Sequence, residues 1–546
     1  MSIQKEKNIR ILQGISIAVC VLGALLCLRH YASGQSLWLD EAYVAFDLMV
    51  VSFSDILEMY TVFPLQPRTP MFFQLIVKML GESFAWSEMA LRLWPLTAAL
   101  LSIGAYYALL KKREAAGITL IALLFFVINP RFIYYAVELK PYTSDILVTL
   151  LIYLYFERIR QKNFDINSVR RFAVCTSMAL FASFPSVFVS LGIITGLTLR
   201  SLASRDLDGA SRWFRALLIY SFAFVFLYYI IFNPMITNKY LIGTWSGAFL
   251  PYQEGPAASL AWMAQAAVGI FKSPLVFVWP FLGLALALYG AVALLSKDLE
   301  RSLVLCAPIV ICFLAACLNL YPFRDRMLMF LLPNFCVLLA HGLAAFGAKF
   351  GKMSPAVVAL LAGLLILKPL HVSARDAIEG IRKEDNRALF DYLQRKYVAT
   401  DEIFYNNSAQ YALLYYMNKN ALFRQMPWVG SETEDPVGEF KVLTNKFRDL
   451  LGEYMGTVFV SYQEEGHFVD GGRMLGMVER RGTWHLDAIW RPGKFQGKRV
   501  WLVFSHHSAD LRDFVLSNFD RYGQRIDEFK SYQVEVYLYQ MNAELK

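Results

Sequence analysis

The stretch that decides the fold reads ILQGISIAVCVLGALLCLRHY, from Ile11 to Tyr31, and is followed shortly by Trp38-Leu39-Asp40-Glu41. A run of about 20 apolar residues is what one α-helix needs to cross the hydrocarbon of a bilayer. Lys5, Lys7 and Arg10 precede it. It is long for a signal peptide and no small-residue cleavage site follows cleanly, so it reads as a retained first membrane helix. The acid pair then stands immediately beyond the membrane.

The same apolar pattern recurs along the chain. Candidate spans are Met89–Leu110, Ala115–Asn129, Tyr142–Phe156, Phe172–Phe184, Ser186–Leu199, Trp213–Phe232, Pro274–Leu295, Ser302–Leu320, Met327–Phe346 and Ser354–Leu370. With the first this predicts about eleven transmembrane helices. Composition agrees: 57% of the 546 residues are hydrophobic and only 18% are charged, against roughly 25% in soluble domains. The deficit ends near Leu370. From His371 charge returns, so residues 1–370 read as a polytopic α-helical membrane module and 371–546 as a soluble domain.

Asp401–Tyr405, Arg499–Ser505 and Gln533–Tyr539 have strand character, and Ala409–Met417 and Ser508–Phe519 helical character. Strands mixed with helices predict a small C-terminal α/β domain. The net charge of +9 comes mainly from short loops, such as Lys111-Lys112-Arg113, Arg170-Arg171 and Lys349 to Lys352. That placement is topological and excludes nucleic acid as partner: basic loops stay on the cytoplasmic side. It predicts a cytoplasmic N-terminus and an extracytoplasmic C-terminal domain. All seven cysteines lie in apolar runs, without a CxxC pair, which argues against a disulfide framework or a zinc site.

The outer loops are of a different kind. The first, 32–88, is long for a connector and holds amphipathic stretches, Ile56–Phe63 and Met71–Leu80. The segment Asn233–Ile270 reads as a second outer loop, rich in Gly, Pro and aromatics. Four groups of polar residues sit at outer helix ends, where ionisable residues face a cavity or a partner. In Trp38-Leu39-Asp40-Glu41 the two acids can divide labour, one taking a proton while the other holds a cation or a donor. In Gln66-Pro67-Arg68-Thr69-Pro70 the prolines fix the backbone around Arg68, whose fork suits phosphate oxygens. Glu138-Leu139-Lys140-Pro141-Tyr142-Thr143-Ser144-Asp145 brings two acids and a lysine to the head of an apolar helix. Tyr321-Pro322-Phe323-Arg324-Asp325-Arg326 sets two arginines on the side where positive charge is scarce, fit for an anionic ligand. The plain alternatives are a solvated acid pair, a proline turn, an interfacial cap with a snorkelling lysine, and a surface ion pair. One anion-binding, carboxylate-bearing cavity accounts for all four groups together.

The tail histidines are His467, His485, His506 and His507. His506-His507 follow a predicted strand, where loops carry function, but two adjacent histidines without further ligands do not make a metal site. The tail reads as a domain that helps select an acceptor.

These residues carry a resemblance. From Ile11 to Leu370 the chain resembles the GT-C glycosyltransferases that use polyprenyl-phosphate sugars, such as protein O-mannosyltransferases, the aminoarabinose transferase of lipid A and the galacturonosyltransferases of the lipopolysaccharide core. Asp40-Glu41 matches their Asp-Glu in the first outer loop. Gln66–Phe73, Glu88–Pro95, Glu138–Asp145 and Tyr321–Pro333 are similar to segments that follow in bacterial members. Where relatives often carry His-Pro this chain has Gln66-Pro67, so a histidine-dependent metal site is not implied.

The resemblance implies an inverting single displacement that moves a hexosyl or pentosyl group from a polyprenyl-phosphate donor to a glycan, lipid or protein acceptor, at a bacterial inner membrane with the C-terminal domain periplasmic. Asp40 is then the expected base, with Glu41 orienting the acceptor or binding a divalent metal ion. Arg68, Lys140, Arg324 and Arg326 are expected on the donor phosphate, and Glu138, Tyr142 and Asp145 on sugar, acceptor or metal. A transporter would show paired halves with interrupted helices, which the sequence lacks. A non-catalytic polyprenyl-lipid-binding protein would have no use for the acid pair.

Overall fold

The computed structural model describes residues 2–58, 68–229, 242–243, 245–398, 400–406, 408–418, 474–477, 479–480, 483–484, 496–507 and 509–543. In chain order the helices are α1 (Ser2–Tyr31), α2 (Leu39–Val50), α3 (Phe53–Leu57), α4 (Met71–Ser83), α5 (Glu88–Arg113), α6 (Ala116–Val127), α7 (Pro130–Tyr135), α8 (Tyr142–Arg160), α9 (Ile166–Met178), α10 (Ser186–Ala203), α11 (Leu207–Leu227), α12 (Pro256–Lys272), α13 (Pro280–Leu295), α14 (Leu299–Cys317), α15 (Leu332–Gly347) and α16 (Ser354–Glu379). The tail adds α17 (Asn386–Lys396), β1 (Glu402–Asn406), α18 (Ala409–Asn418), β2 (Met474–Met477), β3 (Glu479–Arg480), β4 (Thr483–Trp484), β5 (Arg499–Ser505), α19 (Ala509–Phe519), β6 (Gly523–Ser531) and β7 (Val534–Met541).

The chain divides into two compact units that interleave in sequence. One comprises Met1–Ser33, Leu65–Val77 and Arg92–Ile381; the other Gly34–Pro64, Lys78–Leu91 and Arg382–Lys546. The first long loop is therefore shared between them.

The first unit is helical and apolar, as an integral membrane protein requires. Among the described residues, six helical stretches are long and apolar enough to cross a membrane: Glu6–Tyr31, Glu88–Arg113, Ser186–Ala203, Leu207–Leu227, Leu299–Cys317 and Asp325–Glu379. The last is broken at Gly351, whose backbone leaves the helical region. The expected spans Ala115–Asn129 and Pro274–Leu295 form shorter apolar helices, Ala116–Val127 and Pro280–Leu295. The α8 helix has 19 residues and carries Asp145, Glu157, Arg158 and Arg160, which lower its apolar content. The expected loop Asn233–Ile270 contains a helix that sequence reading missed, α12, opened by Pro256 at its first position.

Close packing here depends on small residues. At the α13–α15 crossing a Cβ on Gly290 would overlap the Leu338 carbonyl, and one on Gly342 the Leu286 carbonyl. Buried side chains lock helix to helix. The Tyr106 hydroxyl donates to the Pro333 carbonyl at 2.9 Å, and Asn334 Nδ2 donates to the Leu305 carbonyl at 2.8 Å. At the basic ends of the helices, Arg113 meets Glu157 at 3.0 Å, Arg200 meets Glu300 at 2.7 Å, and Glu114 pairs with Arg301 and with His341.

The second unit holds a five-stranded sheet, ordered β2-β1-β5-β7-β6. β1 runs parallel to β2 and β5, while β5–β7 and β7–β6 are antiparallel. β5 is buried along nearly its whole length, as its unbroken Val500-Trp501-Leu502-Val503-Phe504 requires. The five elements expected in the tail all form, within a residue or two of their expected ends. β6 and α17 were not expected. The first loop contributes α2 to this unit, packed on α18 with the Tyr43 and Tyr411 rings 6.0 Å apart.

Candidate active site

The expected site residues fall into two groups. Asp40 and Glu41 belong to the unit that holds the sheet. Arg68, Glu138, Lys140, Tyr142, Asp145, Arg324 and Arg326 belong to the helical unit.

Asp40 and Glu41 occupy the first turn of α2, after Trp38 as its N-cap. A helix N-terminus favours negative charge, which suits the ionised form of both. Glu41 is fully buried, and Lys383 Nζ reaches its Oε2 at 2.9 Å. Asp40 is half-buried.

The segment before the pair is clamped by the start of the tail. The Leu39 N–H donates to Glu384 Oε2 at 3.1 Å, Asn386 Nδ2 donates to the Leu37 carbonyl at 2.9 Å, and the Leu37 N–H donates to the Tyr416 hydroxyl at 2.9 Å. The Lys383 N–H donates to Gln35 Oε1 at 2.9 Å, and Arg387 bridges Glu88 at 2.9 Å and the Gly34 carbonyl at 2.7 Å. Beneath this clamp lie the carboxyl ends of β1 and β5. Asn406 bonds the Ser505 backbone twice, at 2.9 and 3.0 Å, and the Ser505 hydroxyl donates to Asn386 Oδ1 at 2.7 Å. Ligand sites of α/β sheets form at such strand ends.

His506 follows directly. Its Nδ1 lies 2.6 Å from Glu384 Oε1, and its ring centroid is 6.2 Å from that of Trp38. The Glu384 hydrogen bond outweighs partial burial and holds the His506 imidazole above its ordinary pKa, with the charge of Asp40 adding to the rise. His507 goes the other way, its pKa lowered chiefly by burial. Among the described residues no three His, Cys, Asp or Glu side chains group so as to hold a metal ion. Glu41 already faces the Lys383 ammonium. A divalent cation does not fit that donor set, where an ammonium already meets the carboxylate.

In the helical unit the stretch Glu138–Asp145 leads into α8. Glu138, Lys140 and Asp145 are all buried, and Asp145 lies beside Ser183. The hairpin after α14 packs its short helical turn, Asp325–Leu331, onto α8. Tyr135 ties these parts together. Its ring is 4.7 Å from that of Tyr142. Burial holds its phenol well above its ordinary pKa, Glu138 adding to the rise and Arg326 opposing it. Tyr142 and Asp145 also lie near Tyr321. The structure thus groups Glu138, Tyr142 and Asp145 with Arg326, whose guanidinium stands 5.4 Å over the Trp245 ring.

Arg324 is largely exposed and pairs with Asp325 at 3.2 Å. It lines a cavity of about 600 Å³ with Lys272 and an apolar wall of Trp262, Phe281, Phe323 and Leu328. Arg68 is half-buried on the segment entering α4; Gln66 and Pro67 of its motif lie outside the described residues.

Sequence reading missed Tyr135, Lys272, Lys383, Glu384, Asn386 and Arg387. The run Lys383-Glu384-Asp385-Asn386-Arg387 was the available signal: dense charge where the last apolar helix gives way to the tail.

No protein-family profile matches the sequence, and no curated protein sequence matches it. Solved structures do. The chain is similar to ArnT from Cupriavidus metallidurans in the apo state, with TM-score 0.51 and 11% identity over 98% of both chains. ArnT from the same organism bound to undecaprenyl phosphate gives TM-score 0.50 and 12% identity over 97% of both. The Archaeoglobus fulgidus oligosaccharyltransferase in complex with Zn and sulfate gives 0.45 and 14% over 73% of this chain; the match spans 61% of the length of that protein. By its likeness to the two ArnT structures, the described part of this chain has the GT-C fold, mostly helical with a small C-terminal sheet.

Proposed function

We propose that the chain is a glycosyltransferase that takes a sugar from a polyprenyl-phosphate carrier and passes it to a hydroxyl of an extracytoplasmic acceptor. The observation that carries this reading is likeness of fold along the whole chain to an enzyme solved with undecaprenyl phosphate. The acid pair Asp40-Glu41 and the outer cations give it chemical content.

In the proposed reaction the acceptor oxygen attacks the anomeric carbon from the face opposite the phosphate, and the carbon–oxygen bond to the phosphate breaks. The polyprenyl phosphate leaves with the bonding pair, the acceptor proton passes to Asp40, and the anomeric centre inverts. Cations held in place where charge grows lower such a barrier. Lys140 and Arg326 take that role on the phosphate, with Arg68 and Arg324. The apolar wall beside Arg324 and Lys272 suits the lipid end of the donor. Glu41, buried and held by Lys383, fixes the turn that presents Asp40. Glu138, Tyr142 and Asp145 contact sugar hydroxyls. With the basic helix ends facing the cytoplasm, transfer takes place on the outer side of a bacterial inner membrane.

The test uses membranes holding the full chain, a panel of radiolabelled undecaprenyl-phosphate hexoses and pentoses, and envelope glycolipids as acceptors. Label is expected in acceptor for the wild type and lost in Asp40→Asn at unchanged protein level. Full transfer by Asp40→Asn sinks the base assignment. Uptake of label into sealed vesicles without transfer would mean a transporter.

A further inference from the structure

The proposed reaction does not use His506, and four observations set it apart. It is a non-glycine residue with φ of +50°, in the left-handed region. Such a conformation costs about 1 kcal/mol or more and persists where the surroundings over-determine it. It stands at the carboxyl end of β5, next to Ser505, whose backbone and hydroxyl are held by Asn406 and Asn386. Its Nδ1 meets a carboxylate, Glu384 Oε1 at 2.6 Å, that is itself 2% exposed. The other edge of the ring, with Nε2, belongs to a side chain 47% exposed that lies against Trp38, two residues before Asp40.

We propose that His506, oriented by Glu384, is a positioning residue for Asp40: its imidazolium keeps Asp40 ionised, the form able to take the acceptor proton. This rests on the reading of Asp40 as base. Carboxylate–histidine pairs fix the ring and its proton in this way wherever one nitrogen must be presented to a reaction. Opposite charges favour each other's ionised forms reciprocally. Among the described residues, the charged and titratable groups facing His506 are Glu384 from the segment before α17, Asp40 from α2 and His507 beside it on the same strand end. Two acids raise the imidazole and act with the hydrogen bond. The imidazole pKa lies above that of the unfolded chain. The pair therefore contributes fully below the ordinary imidazole value and is lost as pH rises through the raised one.

The arrangement also gives the tail a part in chemistry: Glu384 and His506 come from the tail, Asp40 from the first loop, and all lie in one compact unit.

Two measurements test it. The first needs no substrate. Full-length protein labelled with ¹³C in its histidines is titrated by NMR in nanodiscs, the His506 signal being the one lost in His506→Gln. Asp40→Asn is expected to lower the His506 midpoint by about half a pH unit or more, and Glu384→Gln to lower it further. An unchanged midpoint in Asp40→Asn overturns the coupling. The second is the pH dependence of transfer from radiolabelled undecaprenyl-phosphate sugars. His506→Gln is expected to move the acid limb to higher pH, while His506→Arg, a permanent cation, keeps it low. Equal loss at every pH in both variants would mean a structural role and overturn the proposal. Full transfer by Asp40→Asn would defeat the base reading instead, and the NMR shift would still report whether the two side chains are coupled.

Discussion

Lys383 and Glu41 illustrate how a residue's meaning depends on its partner. Each is ordinary in sequence; together they form an ion pair with side-chain exposures of 5% and 0%. A buried pair is a poor source of net stability, but removing one member strands the other, at about 3–5 kcal/mol. Lys383→Met should therefore sharply lower the melting temperature of purified protein. The double variant Lys383→Met with Glu41→Leu should recover most of it, because no charge is left without a partner. A single variant as stable as wild type would refute the pairing. The acid pair was legible in the sequence because carboxylates beside a membrane helix are conspicuous. Its partners were not, since Lys383 and Glu384 lie in a charged stretch like any solvated linker, and nothing local says that they fold back onto residues 37–41.

At the level of elements, what could be read followed the strength of the local pattern. β5 was located to the residue because five consecutive apolar residues bounded by polar ones have few other uses. β6 was missed because it is an edge strand, Gly523–Ser531, with charges such as Arg525, Asp527, Glu528 and Lys530 along it. Edge strands carry such charge to discourage pairing with other chains, which erases the alternation used to recognise a strand. The helix α12 was missed because a segment rich in Gly, Pro and aromatics reads as loop. Helix–helix contacts leave a fainter trace, in single glycines. Gly342→Val would press a side chain into the Leu286 carbonyl of α13. The expected cost is about 1–3 kcal/mol, seen as a lower melting temperature and less protein extracted in folded form. Gly363→Val, where a Cβ meets nothing within 4 Å, is the matched control and should melt like wild type.

On the scale of the whole molecule, one unit is assembled from the first loop and the tail. A chain cut after Ile381 would lose every tail partner of Gln35–Glu41. It should still insert its apolar helices, but residues 34–58 should become cleavable by protease added to the outer face and transfer should cease. Supplying the tail as a separate polypeptide tests whether covalent linkage matters. Protection regained in its presence would show that the contacts suffice; a cut chain as resistant as the full one would contradict the shared unit. Sequence reading placed a boundary near residue 370 and took loop and tail as separate pieces. Interleaving of this kind leaves no mark in composition.

The salt bridge between Glu41 and Lys383 spans 342 positions of sequence. A ribosome adding about 5–20 residues per second needs on the order of tens of seconds to cover that distance. Throughout that interval the nascent loop waits without Lys383 beside Glu41 and without α18 against α2. Maturation of this protein is thus ordered in time: the apolar helices up to Glu379 are made first, and the acid pair acquires its neighbours only once Lys383 and the residues after it have been added.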